Sequence, residues 1–266
     1  MKIITYSDLH LEFGSLWTLP PDADGDLMIL AGDIITFADY GPLDRILRQW
    51  KKPVLYVTGN HEYYTRRPMN DEDGRFKTWL EGAHPHVKLM FDEEITIDRV
   101  NFFGGTMWTD FNGKDRRAMG TARSEINDFR LICNPDGSPF RPADAIALHE
   151  SFVEKLEAWF DKDLPGPRVV ISHNAPVINP RTKYGNSPLW PAFNSLDMVK
   201  IIEEHQPALW AYGHTHECDD HTIGATRIIS NQLGYPDPAG GFECRDFDPA
   251  GIPVEIHSLR RSSRES

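Results

Sequence analysis

Histidine, aspartate and asparagine recur in five short blocks of this sequence, each placed directly after an apolar run. The blocks are Ser7-Asp8-Leu9-His10, Ala31-Gly32-Asp33, Gly59-Asn60-His61-Glu62, Ser172-His173-Asn174 and Gly213-His214-Thr215-His216. Such residues offer lone pairs to a cation, and their mixture of imidazole nitrogen with carboxylate and amide oxygen suits Mn, Fe, Zn, Co or Ni rather than Ca. In extended chain, residues i and i+2 share a side. Asp8 and His10 are therefore expected to converge on one ion, and His214 and His216 to reach two neighbouring ions. Asp33 follows Gly32, whose missing side chain permits close backbone approach, and a single carboxylate there can bridge two ions. Asn60 adds a neutral amide oxygen and His173 an imidazole. His61, next to Asn60, is expected to point elsewhere and to serve as a proton donor rather than a ligand. Two divalent ions, two carboxylates and a bridging hydroxide sum to about +1, a receptor suited to a phosphate ester.

The elements that must carry these blocks are legible in outline. Apolar runs predict strands over Ile3–Tyr6, Leu27–Leu30, Val54–Thr58, Val87–Met90, Glu94–Ile97, Val100–Phe103, Arg168–Ser172, Ala208–Tyr212, Ala225–Ser230, Phe242–Phe247 and Pro253–His257. Helices are expected over Pro42–Lys51, Gly74–Gly82, Pro142–Asp161 and Asn194–His205, the third carrying an apolar stripe and a proline at its start. The first half reads as βαβ units and the second adds strands with few helices between them, an order that suits two packed sheets in one α/β domain. Ligands collect outside the carboxyl ends of strands in such sheets, so five separate pieces of chain point at one place. That domain is expected over residues 1–258, with capping loops around 105–140 and 174–193 and a polar tail over 259–266.

Composition narrows the function classes. The chain has 266 residues, of which 40% are hydrophobic and 26% charged, with a mean hydropathy of −0.46. These are ordinary globular values, and the length suffices for a sizeable core without disulfides. No run of eighteen apolar residues is present and the chain enters a strand directly after Met1-Lys2, so neither a membrane span nor a signal peptide is expected. Three widely spaced cysteines form neither a disulfide framework nor a zinc ribbon, which leaves the cytoplasm as the expected compartment. A net charge of −12 argues against general nucleic-acid binding and against an anionic membrane surface.

Taken singly, some blocks carry little weight: Asp219-x-His221 and Gly25-Asp26 repeat two of them elsewhere. Taken in order, the series Asp8-x-His10, Gly32-Asp33, Gly59-Asn60-His61-Glu62, His173 and Gly213-His214-x-His216 resembles the calcineurin-like metallophosphoesterase family. The resemblance implies a four-layer αββα sandwich with two central mixed sheets and a dinuclear metal centre at the strand C-terminal ends. It also implies one ion held by Asp8, His10, Asp33 and His216, a second held by Asp33, Asn60, His173 and His214, and His61 as the group that protonates the leaving group or stabilises the transition state.

The reading is therefore a metal-dependent hydrolase of small phosphate esters, with two divalent transition-metal ions as cofactors. Phosphodiesters are expected over monoesters, cyclic nucleotides among them, because a monoester dianion calls for more Arg and Lys than the motifs carry. Trp108, Tyr184, Lys183 and Arg181 in the capping loops are the candidate substrate contacts. The alternatives are a broad phosphomonoesterase or a nuclease, and, in another class, a binding module that kept the fold without the chemistry. No ligand position departs from the pattern, which favours the enzyme. The remaining histidines, Cys218, Glu62 and Asp110 are expected in ordinary packing, solvated or supporting places.

Overall fold

The computed structural model describes residues 1–14 and 17–257; the expected polar tail over 259–266 lies outside the described residues. Among the described residues, eleven strands form two sheets. The first contains β1 (Lys2–Tyr6), β2 (Leu27–Ala31), β3 (Val54–Val57), β4 (Val87–Met90) and β11 (Ile252–Glu255) in the order β11-β1-β2-β3-β4. The second contains β5 (Glu93–Ile97), β6 (Val100–Gly105), β7 (Arg168–Ser172), β8 (Leu209–Ala211), β9 (Asp219–Ile223) and β10 (Thr226–Ser230) in the order β5-β6-β7-β8-β10-β9. β1 to β4 run parallel, as do β6, β7, β8 and β10, while β5, β9 and β11 are antiparallel edges.

Both faces of each sheet are covered, which is why the parallel strands read as near-continuous apolar runs. Alternate residues face opposite ways. Ile3, Leu27, Ile29, Leu55 and Val57 meet Val100, Phe102, Val169, Ile171 and Leu209 in a core between the sheets. Ile4, Met28, Leu30, Val54 and Tyr56 point outward to the helices Gly41–Gln49 and Met69–Ala83, which bury Leu43, Ile46, Leu47, Phe76 and Leu80. On the far side, Phe103, Val170, Trp210 and Ile228 pack against Phe152, Leu156 and Trp159 of the helix Pro142–Phe160 and Met198 and Ile202 of the helix Met198–His205. The layers are thus helix, sheet, sheet, helix, the expected αββα sandwich.

Several local expectations differ from the structure. Phe242–Phe247 is not a strand: its backbone folds back on the 233–235 turn, with the Cys244 amide donating to Leu233 O at 3.1 Å and the Glu243 amide to Tyr235 O at 3.0 Å. Edge strand β9 escaped notice because Asp219-Asp220-His221 is polar, and its partner β10 supplies the apolar face. The helix Arg116–Glu125 in the cap buries only Ala118 and Ala122, so it shows no apolar stripe. The second helix begins at Met69 rather than Gly74, with Glu72 buried and paired to Arg67 at 2.5 Å.

Candidate metal centre

All seven candidate ligands and His61 lie together at the carboxyl ends of the strands. Asp8, Asp33 and Asn60 follow β1, β2 and β3 of one sheet, while His173 follows β7 of the other and His214 and His216 follow β8. The i and i+2 pairs do converge, but not through extended chain. Asp8, His10, Asp33, His214 and His216 all have positive φ, between 43° and 74°. Non-glycine residues pay for this left-handed backbone with steric strain, and such strain concentrates at functional sites. Here it turns both members of each pair inward within three residues. Two glycines make the convergence possible. A Cβ on Gly59 would strike Asp33 Oδ1 and His173, and one on Gly32, which itself has φ 85°, would strike the His173 ring and the Gly59 amide.

The side chains divide into two groups that share Asp33. In the first, His10 Nε2 and His216 Nε2 face one another at 3.0 Å, with Asp8 Oδ1 3.5 Å from His216 Nε2 and Asp33 Oδ2 3.8 Å from His10 Nε2. The outer ring nitrogens donate to carboxylates: His10 Nδ1 to Glu12 at 3.2 Å and His216 Nδ1 to Glu243 at 2.6 Å. In the second, His173 Nε2 lies 3.1 Å from Asn60 Oδ1, 3.1 Å from His214 Nδ1 and 3.4 Å from Asp33 Oδ1. His173 Nδ1 donates to Ala31 O at 2.8 Å, and the Asn60 amide donates to Asp128 Oδ1 at 2.8 Å, which turns its oxygen inward.

Each group therefore gathers acceptors with few protons to satisfy them. A histidine whose outer N–H is held by a carboxylate or carbonyl presents a bare lone pair at its other nitrogen, the arrangement found at metal-ligating imidazoles. Lone pairs at 3.0–3.1 Å repel unless a cation lies among them, so the donor set fits two divalent ions. Protonation behaves consistently. Burial holds the His10 and His214 rings below their ordinary pKa, and hence neutral, as ligands require. Burial also disfavours a charged His173, but the Asp33 and Asp8 carboxylates outweigh it and raise this ring to about 10. The charge that draws a proton to this place would equally draw a metal ion.

Supporting residues complete the frame. Glu62 is fully buried and accepts from the Asp33, Ile34 and Gly59 amides at 2.8–3.0 Å and from the Tyr56 hydroxyl at 2.6 Å, pinning the turns after β2 and β3 together. Gln232 accepts from the His216 amide at 2.5 Å. His61 lies beside the first group, with a ring nitrogen within 4.8 Å of the ligand atoms of His10 and Asp33, while Nδ1 meets Glu12 at 3.0 Å and Nε2 meets the Tyr235 hydroxyl at 2.9 Å. Burial lowers its pKa, but Asp33 and Glu12 outweigh that and hold it up at about 8, protonated at neutral pH.

A family model described as calcineurin-like phosphoesterase matches residues 1–218, a stretch that contains every candidate ligand. The chain belongs to this family. Calcineurin-like phosphoesterases carry out metal-dependent hydrolysis of phosphate esters and generally use a dinuclear divalent metal centre. Among relatives, an uncharacterized protein of Acanthamoeba polyphaga mimivirus is 28% identical, covering 97% of this chain and 98% of its own. A Caenorhabditis elegans protein is 24% identical over 82% of this chain and 64% of its own. Two solved structures share the fold. Phosphopantetheinyl hydrolase from Mycobacterium tuberculosis has a TM-score of 0.67 at 19% identity, covering 88% of this chain and 89% of its own. A dimetal phosphatase from Danio rerio has a TM-score of 0.51 at 13% identity, covering 87% of each chain.

The capping-loop candidates of this calcineurin-like phosphoesterase fare differently. Trp108 is 6% exposed and sits in the core against Phe140, with ring centroids 4.8 Å apart. The chain takes positive φ at Met107 and Trp108 as it leaves β6, and the indole is carried inward, away from any open surface. Tyr184, Lys183 and Arg181 do approach the centre, from the His216 side. The Tyr184 hydroxyl donates to Glu243 at 3.2 Å, and Lys183 Nζ donates to His216 O at 3.3 Å. Arg181 and Lys183 line a cavity of about 370 Å³ with His216 and Glu243. Glu12, Tyr235 and Glu243 went unread in the sequence. Only Glu12 carried a signal, two residues beyond His10.

Proposed function

We propose that this chain hydrolyses small phosphodiesters, with Asp8, His10, Asp33 and His216 holding one divalent transition-metal ion and Asp33, Asn60, His173 and His214 the other. The observation that carries this is the pair of acceptor-rich groups sharing Asp33. Bound metal ions would supply Lewis acidity toward the phosphoryl oxygens and a lowered pKa for water. The chain's own contributions are separate. Glu62 fixes the two turns from which Asp33 and Asn60 project. Glu12 and Glu243 orient His10 and His216 and hold their outer protons. His61, charged at neutral pH, carries the proton that a departing alkoxide needs.

The preference for a diester monoanion is supported by the cations near the site. Lys183 Nζ is engaged with His216 O and lies 3.7 Å from Glu243, and among the described residues no arginine is hydrogen-bonded or ion-paired to a candidate ligand. A monoester dianion is usually met by a guanidinium clamp. Phosphopantetheinyl hydrolase, which shares the fold, makes a phosphate ester carrying an extended organic group a sensible substrate to include. We place the protein in the cytoplasm, a reading supported by three free cysteines. Among the described residues no helix is long and apolar enough to cross a membrane. The test compares kcat/KM for bis(p-nitrophenyl) phosphate and p-nitrophenyl phosphate with one metal. An advantage of about tenfold or more for the monoester would overturn the diester preference.

A further inference from the structure

A second cavity, of about 430 Å³, lies between the cap helix Arg116–Glu125 and the loop over 178–196. Ile178, Pro188, Trp190 and Leu196 give it apolar walls, and Ile178 and Leu196 remain 37% and 39% exposed. Asp115 and Arg117 add one charge of each sign, so the lining favours neither an anion nor a cation. Asn194 is part of the same lining. It is 3% exposed, and its Nδ2 is buried with no hydrogen-bond partner among the described residues. A buried N–H without an acceptor is costly, and such groups are few in folded proteins. The backbone of the residue is not at fault. Its amide donates to Trp190 O at 3.2 Å and its carbonyl accepts from Thr109 Oγ1 at 3.0 Å, so the side chain alone is left wanting.

The wall that carries Asn194 is stitched to the second group of the centre. Two residues past His173, the Ala175 amide donates to Phe193 O at 3.1 Å, and Ala175 O accepts from the Ser195 amide at 2.9 Å. The Phe193 ring stands against His214, with centroids 5.2 Å apart. Asn194 is extended, with φ −140° and ψ 166°, and neighbours in extended chain face opposite ways. One short segment thus meets the centre with Phe193 and the cavity with Asn194. We infer that the cavity takes an uncharged, amide-bearing arm of the ester, whose carbonyl oxygen accepts from Asn194 Nδ2 while its methylenes lie along Ile178, Trp190 and Leu196. This rests on the hydrolytic reading above and adds a substrate class to it. An amide meets both ends of the asparagine side chain, because its oxygen accepts from the NH₂ and its N–H donates to the carboxamide oxygen. A plain hydrocarbon would leave Nδ2 unpaired, and a charged arm would bring a charge that this balanced lining does not offset.

The test uses two series of p-nitrophenyl phosphodiesters on the full chain loaded with Zn²⁺. In one series the second arm is an ω-acetamidoalkyl chain of graded length, and in the other it is the n-alkyl chain of matching length. The leaving group is nitrophenolate throughout, so the chemical step is the same and the arm alone varies. At one arm length the acetamido ester should have a KM about tenfold below that of its alkyl counterpart, with kcat within about threefold. Asn194→Leu, which keeps the volume and removes the donor, should abolish that ratio. Leu196→Ser, at an exposed wall, should raise KM for both arms by about threefold and keep the ratio, and it stands in should Asn194→Leu fail to fold. Equal KM values for the two arms at every length would overturn the inference. A ratio that survives Asn194→Leu, or KM values for both arms that do not respond to Leu196→Ser, would overturn it as well. A readout free of hydrolysis separates this inference from the functional reading. In ¹⁵N–¹H spectra, the Asn194 side-chain signals, identified by their absence in Asn194→Leu, should move when N-pentylacetamide is added. Unmoved signals contradict the inference whatever the enzyme hydrolyses, whereas moved signals in a protein that cleaves no phosphate ester contradict the hydrolytic reading instead.

Discussion

At His10 and His216 the ring nitrogen turned away from the centre rests on a carboxylate, Glu12 or Glu243, whereas at His173 it rests on the Ala31 carbonyl. The first half of the centre also owns Asp8. The second half is built from three candidate ligands that carry no carboxylate, Asn60, His173 and His214, and has only the shared Asp33 for negative charge. A carboxylate-backed imidazole is the more basic donor, and added negative charge strengthens cation binding. The difference leads us to expect two neighbouring ions held with unequal grip, set in part by residues that would touch neither ion. The ion held by Asp8, His10 and His216 should be the tighter, and the other the more readily exchanged.

The largest effect should come from removing what the halves share. Asp33→Asn should leave less than one ion bound and lower kcat/KM by about 10³-fold or more, because the substituted amide keeps the shape and loses the charge between two cations. Elemental analysis beside kinetics checks this, and an active variant with both ions would break the dinuclear account. Next in size is a change that weakens the halves equally. Glu62 braces the turns after β2 and β3, so Glu62→Ala leaves three buried amides and a hydroxyl without an acceptor and should cost on the order of 3 kcal/mol of stability. Chemical denaturation with metal absent measures it; a loss within experimental scatter would show the turns to be held by other contacts. The smallest effect is the most selective. Glu243→Gln should weaken the tighter ion by about 10–100-fold and leave the other as it was. Equal weakening of both ions would remove the inequality.

The contrast between ligands and their supports also marks what the sequence could disclose. Candidate ligands are few in type, sit at strand ends and fall in ordered blocks, so Asp8, His10, Asp33, Asn60, His173, His214 and His216 could be picked out by chemistry. Alternation along an extended strand predicts their convergence, whereas left-handed backbone at five of the seven does the turning. Supports are ordinary residues whose meaning comes from tertiary approach. Glu243 lies 27 positions from His216, and Tyr235 lies 174 positions from His61, so no local pattern links them. The same logic explains the misplaced elements. Phe242–Phe247 has strand-like residues but spends its backbone bonds on the 233–235 turn, and β9 has polar residues yet pairs along its full length with β10. Trp108 counts among the capping-loop candidates for substrate contact by its type and place in the sequence, while in the structure it is buried against Phe140.

Calorimetric titration of metal-free protein with Mn²⁺ tests the unequal dinuclear centre most directly. The expected result is two equivalents bound in two resolved steps, with the tighter step alone weakened in Glu243→Gln. Saturation at a single equivalent, or two equivalents in one step that Glu243→Gln weakens as a whole, would contradict it.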